Sequence, residues 1–489
     1  MTRHRLGLAL LFALALALRL GWLIRYDEDI DALRFALAVD RFDVLELRPH
    51  APFYPVYVAA AKLCAAAGAS PRIALGVVGA LGGAVTVAAT ALLAREVAGL
   101  RAAWVAGALA LASPFLWLSA TKLTSDAAGM ALTTSALALC ARARRVADPT
   151  SPAHAAALRT AALVLAGIEL GVRLSYFPFA LAIACAVGIS DGGGMALLRR
   201  TRDLATGVVL WLVPLVVVAG SRALVAAGSA QAAGHFTRWG GSVITIPSPG
   251  LRLYGIGWGV WANALGGAWP DAPALRWIGA PVLLLLGAFA LSRVDRRLVA
   301  RHSEIWASAV AYALWAALFQ NVAYKPRHLL PLVPLMIVAL ASASEELSGR
   351  WRAALAAPVL LSAQWFVDGL GLVRAHMLPS PAAALVQHLA SVDDARPVVT
   401  RELGRMVAEG APRRTVISVG SDAELSAAIE RAGAAGAFVT SEAMSPSIRT
   451  ALEARDRAVG VAFARPRSRY VDALWSDLAL LEISPSPSP

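Results

Sequence analysis

The chain has 489 residues, of which 58% are hydrophobic and only 16% are charged. Soluble domains average about 25% charged residues, and a larger soluble core would still need a charged surface. The composition, with a mean hydropathy of +0.62, therefore excludes an ordinary soluble protein and predicts a polytopic α-helical membrane protein.

Charge and cysteine usage exclude two further classes of protein. The formal net charge is +13. The basic residues lie in short segments between apolar runs, so they indicate the membrane topology and do not form a nucleic-acid-binding groove. The three cysteines, Cys64, Cys140 and Cys185, lie in apolar surroundings without a Cys-x-x-Cys or Cys/His cluster. The sequence therefore predicts no disulfide framework and no zinc site, and it leaves a divalent metal cofactor open without indicating one.

Long apolar runs set the number of membrane spans. A helix that crosses a bilayer needs about 20 mostly apolar residues, and runs of this kind predict about eleven spans. The first run follows Arg3 and Arg5 and resembles a signal peptide, but its length, Arg19 and the lack of a clear cleavage site favour a retained helix. The predicted spans are 6–25, 73–94, 102–119, 126–141, 156–173, 175–189, 204–225, 275–292, 304–323, 327–343 and 353–373.

Arginine-rich connections predict the orientation of the chain. Every second connection is basic, and the positive-inside rule places these connections in the cytoplasm. The N-terminus is then cytoplasmic and the C-terminus lies on the outer side of the membrane. Two long loops, 26–72 and 226–274, fall on the outer face, and a long structured loop usually has a function. The basic positions are Arg3, Arg5, Arg95, Arg101, Arg142, Arg144, Arg145, Arg199, Arg200, Arg202, Arg293, Arg296, Arg297, Arg301, Arg350 and Arg352.

The first outer loop opens with four carboxylates, Asp27, Glu28, Asp29 and Asp31. Four neighbouring carboxylates repel one another, and they resist burial unless a partner, a metal ion or a proton is available. Two interpretations are open: a functional site, or a solvated helix cap that also signals topology.

Three prolines give the next part of this loop a rigid, non-helical path. Pro49, Pro52 and Pro55 restrict the backbone on either side of them. His50 and Tyr54 are then presented in fixed directions. The alternative is an ordinary turn at the membrane interface with an aromatic belt.

Two later outer segments carry polar residues. Ser125 and Asp126 open the fourth span, where Asp126 is either a helix-start carboxylate or the ion-pair partner of Lys122. The segment around the start of the tenth span carries Lys325, Arg327 and His328. These side chains either bind a phosphate or snorkel to the membrane interface. The only lysines of the chain, Lys62, Lys122 and Lys325, all fall on the predicted outer face.

From about Ser380 the pattern changes to alternating short strands and helices, which predicts a small α/β domain. The chain then divides into a transmembrane domain, 1–377, and an extracytoplasmic domain, 378–489. The predicted strands are Pro397–Thr400, Thr415–Gly420, Ala437–Ser441 and Val459–Ala464, and the predicted helices are Asp422–Ala432 and Ser447–Arg457.

These segments, in this order, resemble the bacterial C-type membrane glycosyltransferases, which are similar to the protein O-mannosyltransferase and aminoarabinose transferase superfamily. The resemblance covers about residues 1–375. Phe53 and Arg34 depart from it, since Gly and Asn are usual there. The matching segments are 31–37, 42–44, 49–50, 54–57, 125–126, 171–176 and 327–331.

The resemblance implies a hexosyl- or pentosyltransferase of the cell envelope that uses a polyprenyl-phosphate-linked sugar and a lipid, glycan or protein acceptor. It implies Asp31 as the base, with Asp29 as second choice and Asp126 across the cavity. Lys122, Lys325 and Arg327 would face the donor phosphate, with Arg173 as a weaker candidate. The remaining substrate-binding candidates are Asp27, Glu28, His50, Tyr54 and His328.

Two rival functions are open from sequence. A transporter or lipid flippase would need polar groups in mid-membrane and discontinuous helices in paired halves. Arg19 and Glu169 are the main intramembrane charges, and no internal repeat is visible. An inactive relative that only binds lipid is the second rival. For an enzyme, we expect the tail to shape acceptor access without supplying the base.

Overall fold

The computed structural model describes residues 2–146, 152–293, 300–350, 352–455 and 457–484. Its contacts divide the chain into two compact units. The first consists of Met1–Ile24 and Phe35–Arg374, and the second of Arg25–Arg34 and Ala375–Pro489. The second unit thus includes residues 26–34 of the first long loop, the segment that carries the four clustered carboxylates.

Helices dominate the described chain up to His376. They are α1 (Thr2–Leu20), α2 (Ile30–Asp40), α3 (Pro55–Ala66), α4 (Pro71–Ala98), α5 (Leu100–Ala112), α6 (Pro114–Thr121), α7 (Asp126–Arg145), α8 (Pro152–Val172), α9 (Phe177–Ser190), α10 (Gly194–Ala219), α11 (Ser221–Gly234), α12 (Pro249–Gly257), α13 (Ala274–Ser292), α14 (Ser303–Phe319), α15 (Val333–Arg350) and α16 (Ala356–His376).

Six of the described helical stretches are long and apolar enough to cross a membrane, or seven if the bent pair α5 and α6 forms one span. These two helices meet at an angle of 53°. Three shorter apolar helical stretches, which contain α3, α9 and α14, add to them. The polytopic helical class is therefore confirmed, whereas the number of eleven spans stays a prediction. Arg296 and Arg297 of the predicted basic loops lie outside the described residues.

Small residues in α4 bring it directly against the end of α6 and the start of α7. A Cβ atom on Gly79 would lie 2.9 Å from the Ala120 carbonyl oxygen, and one on Gly82 would lie 2.7 Å from the Ala128 nitrogen. Side chains at these positions would push the two segments apart. Such close approach of small residues is how helices pack in membranes, where lipid removes the hydrophobic driving force. The packing fixes the position at which α7 begins, and therefore the position of Asp126.

The second predicted long loop, 226–274, is folded on the end of α14. It contains α12 and two π-helical segments, His235–Trp239 and Trp258–Ala264. The buried guanidinium of Arg252 donates to the carbonyl oxygens of Ala317 at 2.7 Å and Gln320 at 3.1 Å. It also donates to the Gly241 carbonyl oxygen. A cation that binds the last carbonyls of a helix stabilises its C-terminus. This contact therefore anchors the chain just before the Pro326–Leu332 segment.

The C-terminal part contains helices α17 (Pro381–Ser391), α18 (Gly404–Gly410), α19 (Asp422–Ala432) and α20 (Pro446–Glu453). Its strands are β1 (Val398–Thr400), β2 (Val416–Ser418), β3 (Ala437–Thr440), β4 (Val459–Ala464) and β5 (Ala479–Ile483). They form one sheet in the order β2-β1-β3-β5-β4.

The first three strands are parallel, and β5 pairs antiparallel with both β3 and β4. In the register, Val399 lies opposite Val439, which in turn lies opposite Leu481. Leu425 and Ile429 of α19 pack against the sheet in a common core with Val399 and Val439. The predicted α/β character, the four predicted strands and helix Asp422–Ala432 are confirmed. The sequence missed β5.

Candidate active site

Arg173 lies at the centre of a buried polar cluster in the first unit. It follows α8 in extended conformation and is only 8% exposed. Its Nη2 lies 3.0 Å from the Asp126 carboxylate, and its Nη1 donates to the Ser125 hydroxyl at 3.2 Å. The guanidinium also stands over the ring of Tyr176, 5.6 Å from its centroid. The start of α7 and the end of α8 are thereby joined by one ion pair.

This pair gives Asp126 a partner that the sequence did not indicate. The sequence offered a helix-start carboxylate or a partner for Lys122. Asp126 is the first residue of α7, as predicted, and is only 1% exposed. Its ion pair is with Arg173, which comes from a different helix end. A buried carboxylate that is neutralised in this way is suited to orienting its neighbours.

The proline-rich loop brings His50 and Tyr54 together. The Nε2 atom of His50 and the hydroxyl of Tyr54 share a hydrogen bond of 3.1 Å. The ring of Phe35 packs edge-on against Tyr54 and tilted against His50, with centroid separations of 4.9 and 5.7 Å. Phe53 and Tyr54 have positive φ angles of 71° and 47°. Bulky residues rarely adopt this region, and strained backbone of this kind concentrates at functional sites.

The Lys325–His328 segment belongs to the same neighbourhood. A 3₁₀ turn, Pro326–Leu332, carries Arg327 and His328, and the buried Tyr312 hydroxyl donates to the His328 carbonyl at 2.8 Å. Arg173 interacts electrostatically with both Tyr54 and Arg327. His328 does so with Arg173, Arg327 and Lys325. The fold thus gathers predicted site residues from four separate parts of the sequence.

Sequence reasoning gave no role to several residues that lie in this cluster. The ring of His235, from the first π-helical segment, interacts with His328 and forms a hydrogen bond with the backbone of Phe319. Burial lowers the pKa of His235. The two buried tyrosines, Tyr176 and Tyr312, contact each other edge-on at 5.5 Å. Only Tyr176 had a local signal, since it lies three residues after Arg173.

Glu169 is the other buried carboxylate of this cluster. It lies in α8, one turn before Arg173, and is 1% exposed. Its backbone carbonyl accepts a hydrogen bond from the Arg173 N–H at 2.8 Å, and its side chain interacts electrostatically with the Arg173 guanidinium. The sequence had marked it only as an intramembrane charge. It helps to hold Arg173 in place.

The first-loop carboxylates belong to the second unit. Asp29 caps α2, since its Oδ1 accepts from the Ala32 N–H at 2.8 Å. Asp31 lies in the first turn of the same helix. Asp27 and Asp31 are partly exposed, whereas Glu28 is only 4% exposed and is bonded to His376. The helix-cap interpretation therefore holds for Asp29, and Glu28 has a buried partner of its own.

The remaining predicted cations are placed as follows. Lys62 donates from Nζ to the Val39 carbonyl at 2.6 Å, which ties α3 to α2. Lys122 lies directly after α6, in the segment that packs against Gly79. Within the described residues, no group of three or more His, Cys, Asp or Glu side chains could hold a metal ion.

Solved structures resemble this chain, although no family model and no curated protein matches its sequence. The apo structure of ArnT from Cupriavidus metallidurans aligns with a TM-score of 0.50 and 14% identity, over 98% of both chains. The chain has the C-type glycosyltransferase fold. The C-type oligosaccharyltransferase of Archaeoglobus fulgidus, in complex with Zn and sulfate, gives a TM-score of 0.47 and 15% identity, over 88% of this chain and 67% of that chain.

Proposed function

We propose that this chain is a glycosyltransferase that moves a hexose or pentose from a polyprenyl-phosphate donor to an acceptor on the outer face of a bacterial inner membrane. One observation carries the proposal. In a unit of apolar helices that has the C-type fold, Arg173 interacts electrostatically with Tyr54 and Arg327, and His328 does so with Arg173, Arg327 and Lys325. A group of cations at such a place suits a lipid-linked phosphate.

An apolar cavity supports a lipid-linked donor. Its volume is about 350 Å³ and it lies between α3 and α10. Pro55, the residue after Tyr54, is part of its wall. A polyprenyl chain needs an apolar surface of this kind beside its phosphate. The wall is formed by Phe42, Pro55, Val56, Val58, Ala59, Lys62, Leu210, Trp211, Pro214, Leu215 and Val218.

We assign two roles to the cations. Arg173 is held by Asp126 and Ser125, so we assign it an orienting role. Arg327 and Lys325 are assigned to the donor phosphate, with His328 and Lys122 as further contacts. A preorganised cation stabilises the charge that develops on the phosphate as the sugar leaves, because it costs no reorganisation during the reaction.

The proposed reaction needs one base. A carboxylate accepts the proton of the acceptor hydroxyl, and the freed oxygen attacks the anomeric carbon of the sugar. The bond between that carbon and the phosphate oxygen breaks, and polyprenyl phosphate leaves with the electron pair. Asp31 remains the first choice, because the residues that follow it, 32–37, best match the pattern of the C-type glycosyltransferases.

The proposed orientation is N-terminus inside and C-terminus outside, from the alternating basic loops. A reporter enzyme that works only outside the cytoplasm, fused after Glu482, tests it. Activity of a strictly cytoplasmic reporter at this position would remove both the orientation and an outer-face reaction.

Transfer itself is tested with purified protein in proteoliposomes. A panel of radiolabelled undecaprenyl-phosphate hexoses and pentoses is offered with an extract of envelope lipids and glycans. We expect label to move to an acceptor, and this movement to require Asp31. Label that crosses the bilayer while still on its lipid would support a flippase. Binding of undecaprenyl phosphate without transfer from any donor would support an inactive relative.

A further inference from the structure

The segment that carries the first-loop carboxylates is attached to the C-terminal part of the second unit by buried polar contacts. The Glu28 carboxylate lies 2.9 Å from Nε2 of His376, and the two residues are 4% and 0% exposed. The hydroxyl of Ser380, also fully buried, donates to the Glu28 carbonyl at 2.8 Å. Both the side chain and the backbone of Glu28 are therefore held.

Tyr26, two residues earlier, has its own attachment. Its hydroxyl donates to the His376 carbonyl oxygen at 2.5 Å. Arg467, from the connection between β4 and β5, donates to the Tyr26 hydroxyl at 3.2 Å and to the Ala375 carbonyl at 2.7 Å. Burial raises the pKa of Tyr26, so the phenol keeps the proton that this contact requires. We call Tyr26, Glu28, His376, Ser380 and Arg467 the latch.

The latch leaves the start of α2 little freedom. Buried polar groups must all be paired, because an unpaired one costs its full desolvation energy. A displacement of the segment 26–28 would therefore leave buried polar partners unpaired. The Asp29 carboxylate caps α2 directly after it, and Asp31 lies in the first turn of that helix. Tyr26, Glu28 and Asp29 are thus held by hydrogen bonds, and they lie only two to five residues before the proposed base.

We propose that the C-terminal domain positions the catalytic first loop through the latch, with Arg467 and Glu28 as positioning residues for Asp31. This inference rests on the proposed function, in which a first-loop carboxylate is the base. It adds to the sequence-based expectation that the tail shapes acceptor access without supplying the base. A base displaced by about 1 Å can lose about 10²-fold in rate, so positioning of this kind controls the reaction.

The test uses the full-length protein in proteoliposomes. Arg467→Gln and Glu28→Gln each remove charge from the latch, Arg467→Lys retains it, and Tyr26→Phe removes one hydroxyl with almost no change of shape. The matched control is Arg401→Gln, because Arg401 is a half-exposed arginine of the same unit that pairs with Asp422 at 3.0 Å. Measured quantities are the affinity for undecaprenyl phosphate, the single-turnover rate of sugar transfer and the temperature of unfolding.

We expect Arg467→Gln and Glu28→Gln to lower the transfer rate by at least about tenfold, with the affinity for undecaprenyl phosphate within about twofold of the unmodified chain. Arg467→Lys should recover part of the rate, and Arg401→Gln should retain it. Tyr26→Phe should show a smaller loss of rate without a loss of folded protein. This separation of rate from binding is the signature of a displaced base, which a general loss of folding would not give.

Two outcomes overturn the inference and leave the proposed function intact. One is a normal rate in folded Arg467→Gln and Tyr26→Phe while Asp31→Asn is inactive. The other is an equal loss of rate and affinity in parallel with the unfolding temperature, which would give the latch a purely structural role. Near-normal transfer by both Asp31→Asn and Asp29→Asn would instead overturn the proposed function, and the inference with it.

Discussion

The Arg173 cluster and the first-loop carboxylates are built in opposite ways. The cluster draws Asp126, Arg173 and Arg327 from separate helices, and its members are brought together only by packing. The carboxylates follow one another along five residues, and Asp29 and Asp31 are placed by the start of a single helix. A cationic site for a lipid phosphate can be rigid and buried, whereas a base that meets exchanging acceptors must remain reachable. The packed Arg173 cluster therefore suits the proposed phosphate site, and the start of α2 suits the proposed base.

The largest expected effect separates the two aspartates of the first loop. Asp31→Asn should retain donor binding and lose transfer by about 10²-fold or more, since general base catalysis contributes about 10²–10⁴-fold. Asp29→Asn should change little, because Asn is as good a helix cap as Asp. Single-turnover transfer by the two folded variants is the measurement. A larger loss of transfer rate in Asp29→Asn than in Asp31→Asn would make Asp29 the base in place of Asp31.

The next prediction concerns the stability of the cluster. Arg173→Ala leaves Asp126 buried without its partner, and breaking a buried pair from one side costs about 3–5 kcal/mol. The double variant Asp126→Ala/Arg173→Ala removes both charges and should unfold at a higher temperature than Arg173→Ala alone. The measurement is thermal unfolding in detergent. Equal destabilisation by the single and double variants would show that the pair is not what holds α7 to α8.

Substitution of Arg327 tests the proposed donor-binding role of the cations. Arg327→Ala should lower both the affinity for undecaprenyl phosphate and the rate, the rate by about 10²–10³-fold, because the charge of the phosphate grows as the sugar leaves. Lys325→Ala should act in the same direction. Arg222→Ala is the control, since Arg222 is exposed on α11. Unchanged affinity in Arg327→Ala would remove this residue from the donor site.

The smallest expected effect lies in the C-terminal domain, away from both regions. Hydrogen bonds from Arg396 hold the pKa of Asp394 below its ordinary value. A carboxyl with a lowered pKa stabilises the folded chain above its unfolded pKa of about 3.9 and loses this contribution as the pH falls through the folded pKa. Because the pair is partly solvated, we expect no more than about 1 kcal/mol.

Amide hydrogen exchange around Asp394 between pH 5 and pH 3 measures this effect. The intrinsic exchange rate falls over this range, so the measured quantity is the protection factor. It should decrease toward acid, and Asp394→Asn should weaken that decrease. An identical pH dependence in the variant would assign the acid sensitivity to other carboxylates of the domain.

The sequence predicted most of the local structure, because local structure follows from neighbouring residues. Apolar runs gave helices, and α7 begins at the predicted Asp126. Alternating strand and helix patterns gave the C-terminal sheet, with helix Asp422–Ala432 at its predicted bounds. Strand β5 was missed since Ala479–Ile483 is a short apolar run, which periodicity cannot distinguish from a helix.

Only the tertiary structure decided the partners of the charged residues. Nothing near Asp126 in the sequence indicates Arg173, and nothing near Glu28 indicates His376, which lies 348 residues later. The reason is physical. A buried charge must find a partner wherever the packed helices bring one, so its choice depends on the whole fold, whereas a helix start or a strand depends on a few adjacent residues.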